Sequence, residues 1–162
     1  MHSSLNSTLP KKIIYLAIEM AVKIKREKTL IGRREHVDFP DLGIFGLTAK
    51  IDTGAYTAAL HCHDIYVKDR VLYFKVLDPT HPVYNEQPQQ AKIFFEKDIK
   101  NSFGEIEKRY IISTKVKIGG RTIKSVISLT NRGTMRYPVL IGRRMLKGKF
   151  IVDVSKLMIG KS

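Results

Sequence analysis

One cysteine, Cys62, is all that the 162 residues contain. An intrachain disulfide is therefore excluded, and a lone thiol fits a reducing compartment. Long apolar runs are missing as well. The segment PKKIIYLAIEMAVKIKREK starts like a secretory leader, lysines followed by apolar residues, but Glu19 interrupts it. Its unbroken stretch from Ile13 to Ile18 falls far short of the roughly 20 apolar residues that a membrane-crossing helix needs. A short amphipathic helix with Ile14, Ile18, Ala21 and Val22 near one face accounts for the pattern. Met20 offers an alternative start that would leave the first residues as extension. These features predict a cytoplasmic protein without a membrane span, with residues 1–28 as a helical or flexible extension to one domain over 29–162.

Acidic residues are scarce: 15 Asp and Glu stand against 29 Lys and Arg, a formal net charge of +14. Such a surface attracts polyanions, whether acidic peptides, nucleic acid or anionic lipid, although charge governs encounter and solubility rather than fold. Three chemical signatures are absent. There is no Gly-rich loop ending in Lys-Ser/Thr for phosphates, no His-Glu-x-x-His and no Cys-x-x-Cys. No cofactor or metal is expected on that basis. Internal repeats, low-complexity tracts and heptads are also lacking.

What is present reads mostly as short strands. HVDFPDLGIFGLTAKI breaks helices with one Pro and two Gly but suits turns and twisted strands. Ile65 and Val67, then Leu72, Phe74 and Val76, alternate about Lys68-Asp69-Arg70 and predict a hairpin. A second hairpin is predicted in YIISTKVKIGGRTIKSVISLT, where Gly119-Gly120 tolerates the positive φ of a two-residue turn. Between them, Pro79, Pro82 and Pro88 argue against a central strand and for a loop. Near the end, Val139 to Ile141 reads as a buried run, followed by a helical turn and a strand from Phe150 to Val154.

The stretch AKIDTGAYTAALHCHD carries the chemistry. Asp52 has three readings. It can be a turn residue, its side chain bonding nearby N–H groups before Thr53 and Gly54. It can belong near a zinc site built from His61, Cys62, His63 and Asp64, although strand neighbours alternate, so only His61 and His63 would share a face. It can also be half of an aspartic-protease dyad. That chemistry needs two carboxylates about 3 Å apart sharing a proton, one activating water and the other polarising the scissile carbonyl. Thr53 would brace the loop and Gly54 would let an opposing loop approach. A single Asp-Thr-Gly means that the second carboxylate must come from another copy across a two-fold axis, so this reading predicts a homodimer.

KIDTGA followed by VLIGRRML, with Gly142 lying 90 positions after Asp52, resembles the retroviral type of aspartic protease. The resemblance is closer to the bacterial RimB-like family, whose members often carry the label ATP-dependent zinc protease. It extends through IGRREHV, AKIDTGAYTAALH, IKNSFGEIEKRYIISTKV, SLTNRGTMRYPVLIGRRML and FIVDVS, from Ile31 to Ser155. It implies an all-β fold, a closed barrel of the pepsin/retropepsin type with one or two short helices. It further implies that Asp52, Thr53 and Gly54 are catalytic, with Ala55, Arg109, Arg132 and Arg143 toward substrate. RimB-like proteins are linked to ribosomal-protein glutamate ligases, so an acidic or polyglutamate-tailed peptide is the implied substrate, and guanidinium groups suit its carboxylates.

Arg143 has a second reading as a buried structural bridge. Its retroviral counterpart meets acidic residues after the catalytic loop, where Tyr56, Thr57 and Ala58 stand here. Glu35 is a candidate substitute. The flap that closes over substrate would be the segment about Asn101-Ser102-Phe103-Gly104 or the loop from Pro79 to Gln90. Zinc and ATP, despite the family label, find no matching motif. Two rivals remain: a non-catalytic basic module binding acidic proteins or, less favoured, RNA, and a zinc hydrolase using His61 or His63.

Overall fold

The computed structural model describes residues 10–16, 27–100, 104–131, 133 and 136–160. Eleven strands follow one another from residue 29 onward: β1 (Thr29–Gly32), β2 (Arg34–Phe39), β3 (Ile44–Asp52), β4 (Ala58–Lys68), β5 (Val71–Val76), β6 (Pro88–Ala91), β7 (Phe94–Lys100), β8 (Ile106–Ile118), β9 (Arg121–Thr130), β10 (Val139–Gly142) and β11 (Phe150–Asp153). A 3-10 turn, Pro40–Leu42, and a one-turn helix, Arg143–Leu146, supplement them. Residues 11–16 are helical and exposed. No described helix is long and apolar enough to cross a membrane.

Six strands close a barrel in the order β10-β3-β2-β8-β9-β4, because β10 pairs with both β3 and β4. The all-β closed barrel expected from the resemblance is therefore present. Alternation builds its interior. On β3, Leu47, Ala49 and Ile51 point inward, and Val116, Ile118, Ile127, Leu129 and Ile141 meet them from other strands. Each fully buried aliphatic side chain contributes about 1.5–3 kcal/mol.

Both predicted hairpins form. β4 and β5 turn through Asp69 and Arg70, at φ 50° and 62°, a primed turn made without glycine. β8 and β9 turn through Gly119 and Gly120 at φ 54° and 71°. Gly119 also has a packing reason: a Cβ there would lie 3.0 Å from Ile31 and 3.3 Å from Phe150, in the parallel pair formed by β1 and β11. Pro88 opens β6, which among the described residues pairs only with β5, consistent with proline at a sheet edge. The sequence reading missed β7, whose charged run pairs along its whole length with β8. That ladder supplies the order that FFEKDIK lacks in apolar periodicity.

Glu35 has a structural task different from the one expected. It is buried, 1% exposed, and accepts hydrogen bonds from Gly32 N (2.5 Å), Ile159 N (3.2 Å) and Gly160 N (2.9 Å). The C-terminal segment is thereby clasped to β1 and β2, reinforced by Arg33 N to Lys156 O and Met158 N to Arg34 O, both 2.9 Å. Glu35 is thus not the partner of Arg143. Replacing it by Ala leaves several buried donors unpaired, so Glu35→Ala should destabilise the fold by about 3 kcal/mol. Glu35→Gln, which keeps one acceptor oxygen, should cost roughly half as much; urea unfolding of the two variants checks the order.

Candidate active site

Asp52 is the last residue of β3, so a strand locked into the barrel delivers its carboxylate. Its Oδ1 accepts from Gly54 N at 3.0 Å and Ala55 N at 3.1 Å, bending the chain into a tight turn. The turn reading and the catalytic reading are therefore compatible: one oxygen shapes the loop, and the side chain stays half-buried rather than sealed. Thr53 and Gly54 are exposed. The Thr53 hydroxyl makes no hydrogen bond among the described residues, so the bracing expected of it does not occur within one chain.

β10 threads between the two strands that flank this loop. It runs parallel to β3, with Gly142 opposite Asp52 and Ile141 opposite Ile51, and antiparallel to the start of β4, with Leu140 opposite Ala59. At its end the chain enters the one-turn helix. Arg143 N donates to Ala55 O at 2.8 Å and Arg144 N to Tyr56 O at 3.1 Å. The first N–H groups of a helix need outside acceptors, and the Asp52 loop provides them.

Gly142 is fixed by this crossing. A Cβ there would sit 2.8 Å from Thr57 C and O and from Tyr56 O, all backbone atoms. Gly142→Ala should push the loop away, costing about 2 kcal/mol of stability and most of any activity that depends on Asp52. Paired denaturation and turnover measurements would check this. Wild-type stability and activity in that variant would show that the contact does not hold the loop.

The arginines expected at substrate are not gathered here. Arg109 lies on β8, its side chain 16% exposed, with Nε and Nη2 donating to Glu107 Oε2 at 2.8 and 2.6 Å. Its fork is already occupied by a carboxylate. Arg143 is exposed and has no ion pair among the described residues, which overturns its reading as a buried bridge. The physical reason is its place at the helix start, where the backbone N–H, not the side chain, does the anchoring. Arg132 lies outside the described residues. Ala55 is half-buried within the loop itself.

Of the flap candidates, residues 101–103 lie outside the described residues; they fall between β7 and β8, paired from Phe94↔Ile112 to Lys100↔Ile106. The Pro79–Gln90 alternative runs from the end of β5 into edge strand β6.

The His-Cys-His-Asp cluster is divided among separate tasks. His61 is buried, with Nε2 2.7 Å from Asp78 Oδ2. His63 Nδ1 is 3.4 Å from Asp64 Oδ1, its ring leaning on Tyr84, while Lys75 Nζ is 3.2 Å from Asp64 Oδ2. That lysine, and then His63, hold the Asp64 carboxyl below its usual range. Cys62 is fully buried in the core, and burial pushes its thiol pKa well up. A zinc ligand needs the opposite, a stabilised thiolate. Among the described residues no three His, Cys, Asp or Glu side chains form a group able to hold a metal. Native protein should therefore resist a thiol-specific reagent at neutral pH and react stoichiometrically only after denaturation, as a colorimetric thiol titration would show.

The pairing of Arg34 with Tyr137 and that of His61 with Asp78 were not foreseen from sequence. Both join residues from separate segments, and their only sequence signal is residue type.

Comparison with known proteins agrees with this geometry. The family model described as RimB-like, retropepsin-like aspartic endopeptidase RimB, matches residues 30–162. Two curated relatives named "Probable alpha-L-glutamate ligase", from Shewanella halifaxensis and Shewanella pealeana, are each 35% identical over 133 residues, covering 80% of this chain and 29% of their own. A relative of the same name from Desulfotalea psychrophila is 30% identical over 148 residues, covering 83% and 32%. The chain thus spans about three-tenths of the length of these relatives. A crystal structure of a Legionella pneumophila protein of unknown function superposes with a TM-score of 0.66 at 25% identity, covering 83% of this chain and 100% of that one.

Proposed function

This chain belongs to the RimB-like family of retropepsin-like aspartic endopeptidases, and from that premise we propose that it is an aspartic-type peptidase working as a homodimer on acidic peptide tails, polyglutamate among them. The observation that carries the reading is Asp52, held half-buried at the end of a barrel strand by a loop that is itself tied to β10 and the one-turn helix.

One carboxylate cannot be base and acid in the same step. Two copies related by a two-fold axis would present Asp52 to Asp52, with the exposed Thr53 and Gly54 at the junction. Like charges so close favour one shared proton. The ionised carboxylate then takes a proton from water as its oxygen adds to the scissile carbonyl carbon. The protonated partner meanwhile donates to the carbonyl oxygen. Collapse of the tetrahedral intermediate breaks the C–N bond as the nitrogen is protonated from the dyad.

The acidic substrate is supported by two independent features. The +14 net charge draws in polyanions. The names of the curated relatives, glutamate ligases, concern addition of the residue that such a peptidase would remove.

Asp52→Asn should lower turnover of a glutamate-tailed peptide by about 10³-fold or more while the dimer and fold persist. Wild-type specific activity should rise with protein concentration as dimer forms. Equal hydrolysis by wild type and variant would defeat the catalytic assignment. A second reading is a non-catalytic module that captures acidic chains; it is favoured by the chain matching only part of its ligase-named relatives. Binding without turnover, indifferent to Asp52→Asn, would select it.

A further inference from the structure

Strand β3 alternates strictly near its end. Thr48, Lys50 and Asp52 share the face opposite the buried Leu47, Ala49 and Ile51. Lys50 stands directly across from Arg34 on β2, and Leu140 on β10 flanks it on the other side. Like charges placed directly opposite one another in a sheet are destabilising.

Two other cationic pairs face each other in the described ladders, Lys97↔Arg109 and Lys115↔Lys124. Each has a carboxylate beside it: Glu107 binds Arg109, and Asp41 lies 3.7 Å from Lys115. Arg34 and Lys50 have no carboxylate partner among the described residues. Their repulsion is left uncompensated two residues from the candidate catalytic acid.

The Arg34 guanidinium is fixed in place. Nη1 donates to the Tyr137 hydroxyl at 2.8 Å, and the guanidinium carbon lies 5.7 Å from that ring's centroid. Arg136 approaches the same ring at 5.6 Å. Both arginines, with Thr48, line a cavity of about 520 Å³. Asp78, an acid in this lining, is engaged by His61.

We propose that Lys50, Arg34 and Arg136 form a carboxylate-binding track that seats acidic side chains of the substrate on one side of the cleavage point. This rests on the acidic-peptide reading above and names the residues that would select for it. The spacing suits an extended peptide. Residues 48 to 52 span about 13 Å at ~3.3 Å per residue, and alternate side chains of an extended ligand repeat at about twice that rise. A glutamate tail laid along the strand would thus bring one carboxylate to Lys50, with Arg34 directly opposite. An acidic peptide fits better than RNA, because binding of single-stranded nucleic acid relies on open aromatic faces for base stacking. Here Tyr137 already has two guanidinium groups against it.

The test uses the intact chain carrying Asp52→Asn, with fluorescein-labelled hexaglutamate as probe and anisotropy as readout at low salt. Adding Lys50→Gln or Arg34→Gln should each weaken binding about tenfold and flatten its salt dependence. Lys124→Gln, an exposed lysine on β9, should change it less than about twofold. Lys50→Gln should also melt no lower than its parent, since it removes a repulsive pair; a lower melting temperature would mark Lys50 as structural and overturn the proposal. Binding equal to that of the Lys124 control would overturn it too, as would displacement of the probe by oligouridylate at lower concentration than by unlabelled hexaglutamate. Failure of the peptidase reading looks different. Wild type would then bind the probe through Lys50 and Arg34 without cutting it, whereas cleavage of an acidic peptide unaffected by Lys50→Gln would sink the track alone.

Discussion

The structure depends on one close backbone crossing. β10 can pair with β3 and β4 together only if it passes beneath the loop that joins them, and the passage is narrow enough that residue 142 has no room for a side chain. Closure of the barrel and placement of Asp52 are thereby the same event. A chain that failed to thread β10 would lose two sheet pairings as well as the acceptors for its helix N-terminus. The candidate catalytic loop is consequently tied to the strand that closes the barrel, although its tip is exposed.

Charge is distributed with a similar economy. Most acids that the chain possesses are committed to local tasks. Glu35 clasps the C-terminal segment through backbone donors, Asp38 binds Gly46 N, and Asp41 binds Lys115 N. The exposed ion pairs, such as Lys115 with Asp41, add little stability individually. Their effect is to leave the excess cations concentrated where no carboxylate reaches, and the face of β2 and β3 beside Asp52 is such a place. Barrel geometry and residual charge therefore converge on one side of the same strand.

Matching about three-tenths of proteins named as glutamate ligases gives this convergence a biochemical setting. A site that adds glutamate and one that removes it must both accommodate a flexible, highly charged chain. Under the proposed peptidase reading, the cations beside Asp52 would offset part of the cost of ordering that chain.

Local patterns alone determined most of the strands, both hairpins, the exclusion of the proline-rich stretch from a central strand and the turn at Asp52. Each follows from alternation or from φ preferences acting over a few residues. The retroviral likeness of KIDTGA and VLIGRRML also made the barrel and its acid legible. Tertiary structure decided the rest. It gave Glu35 to the C-terminal segment instead of Arg143, left Arg143 in solvent and placed Arg34 across from Lys50. Those outcomes depend on which strands become neighbours and in what register, and a one-residue slip sends every side chain to the other face. Residue type tells what a side chain can bind; only the closed barrel sets which partner lies within reach.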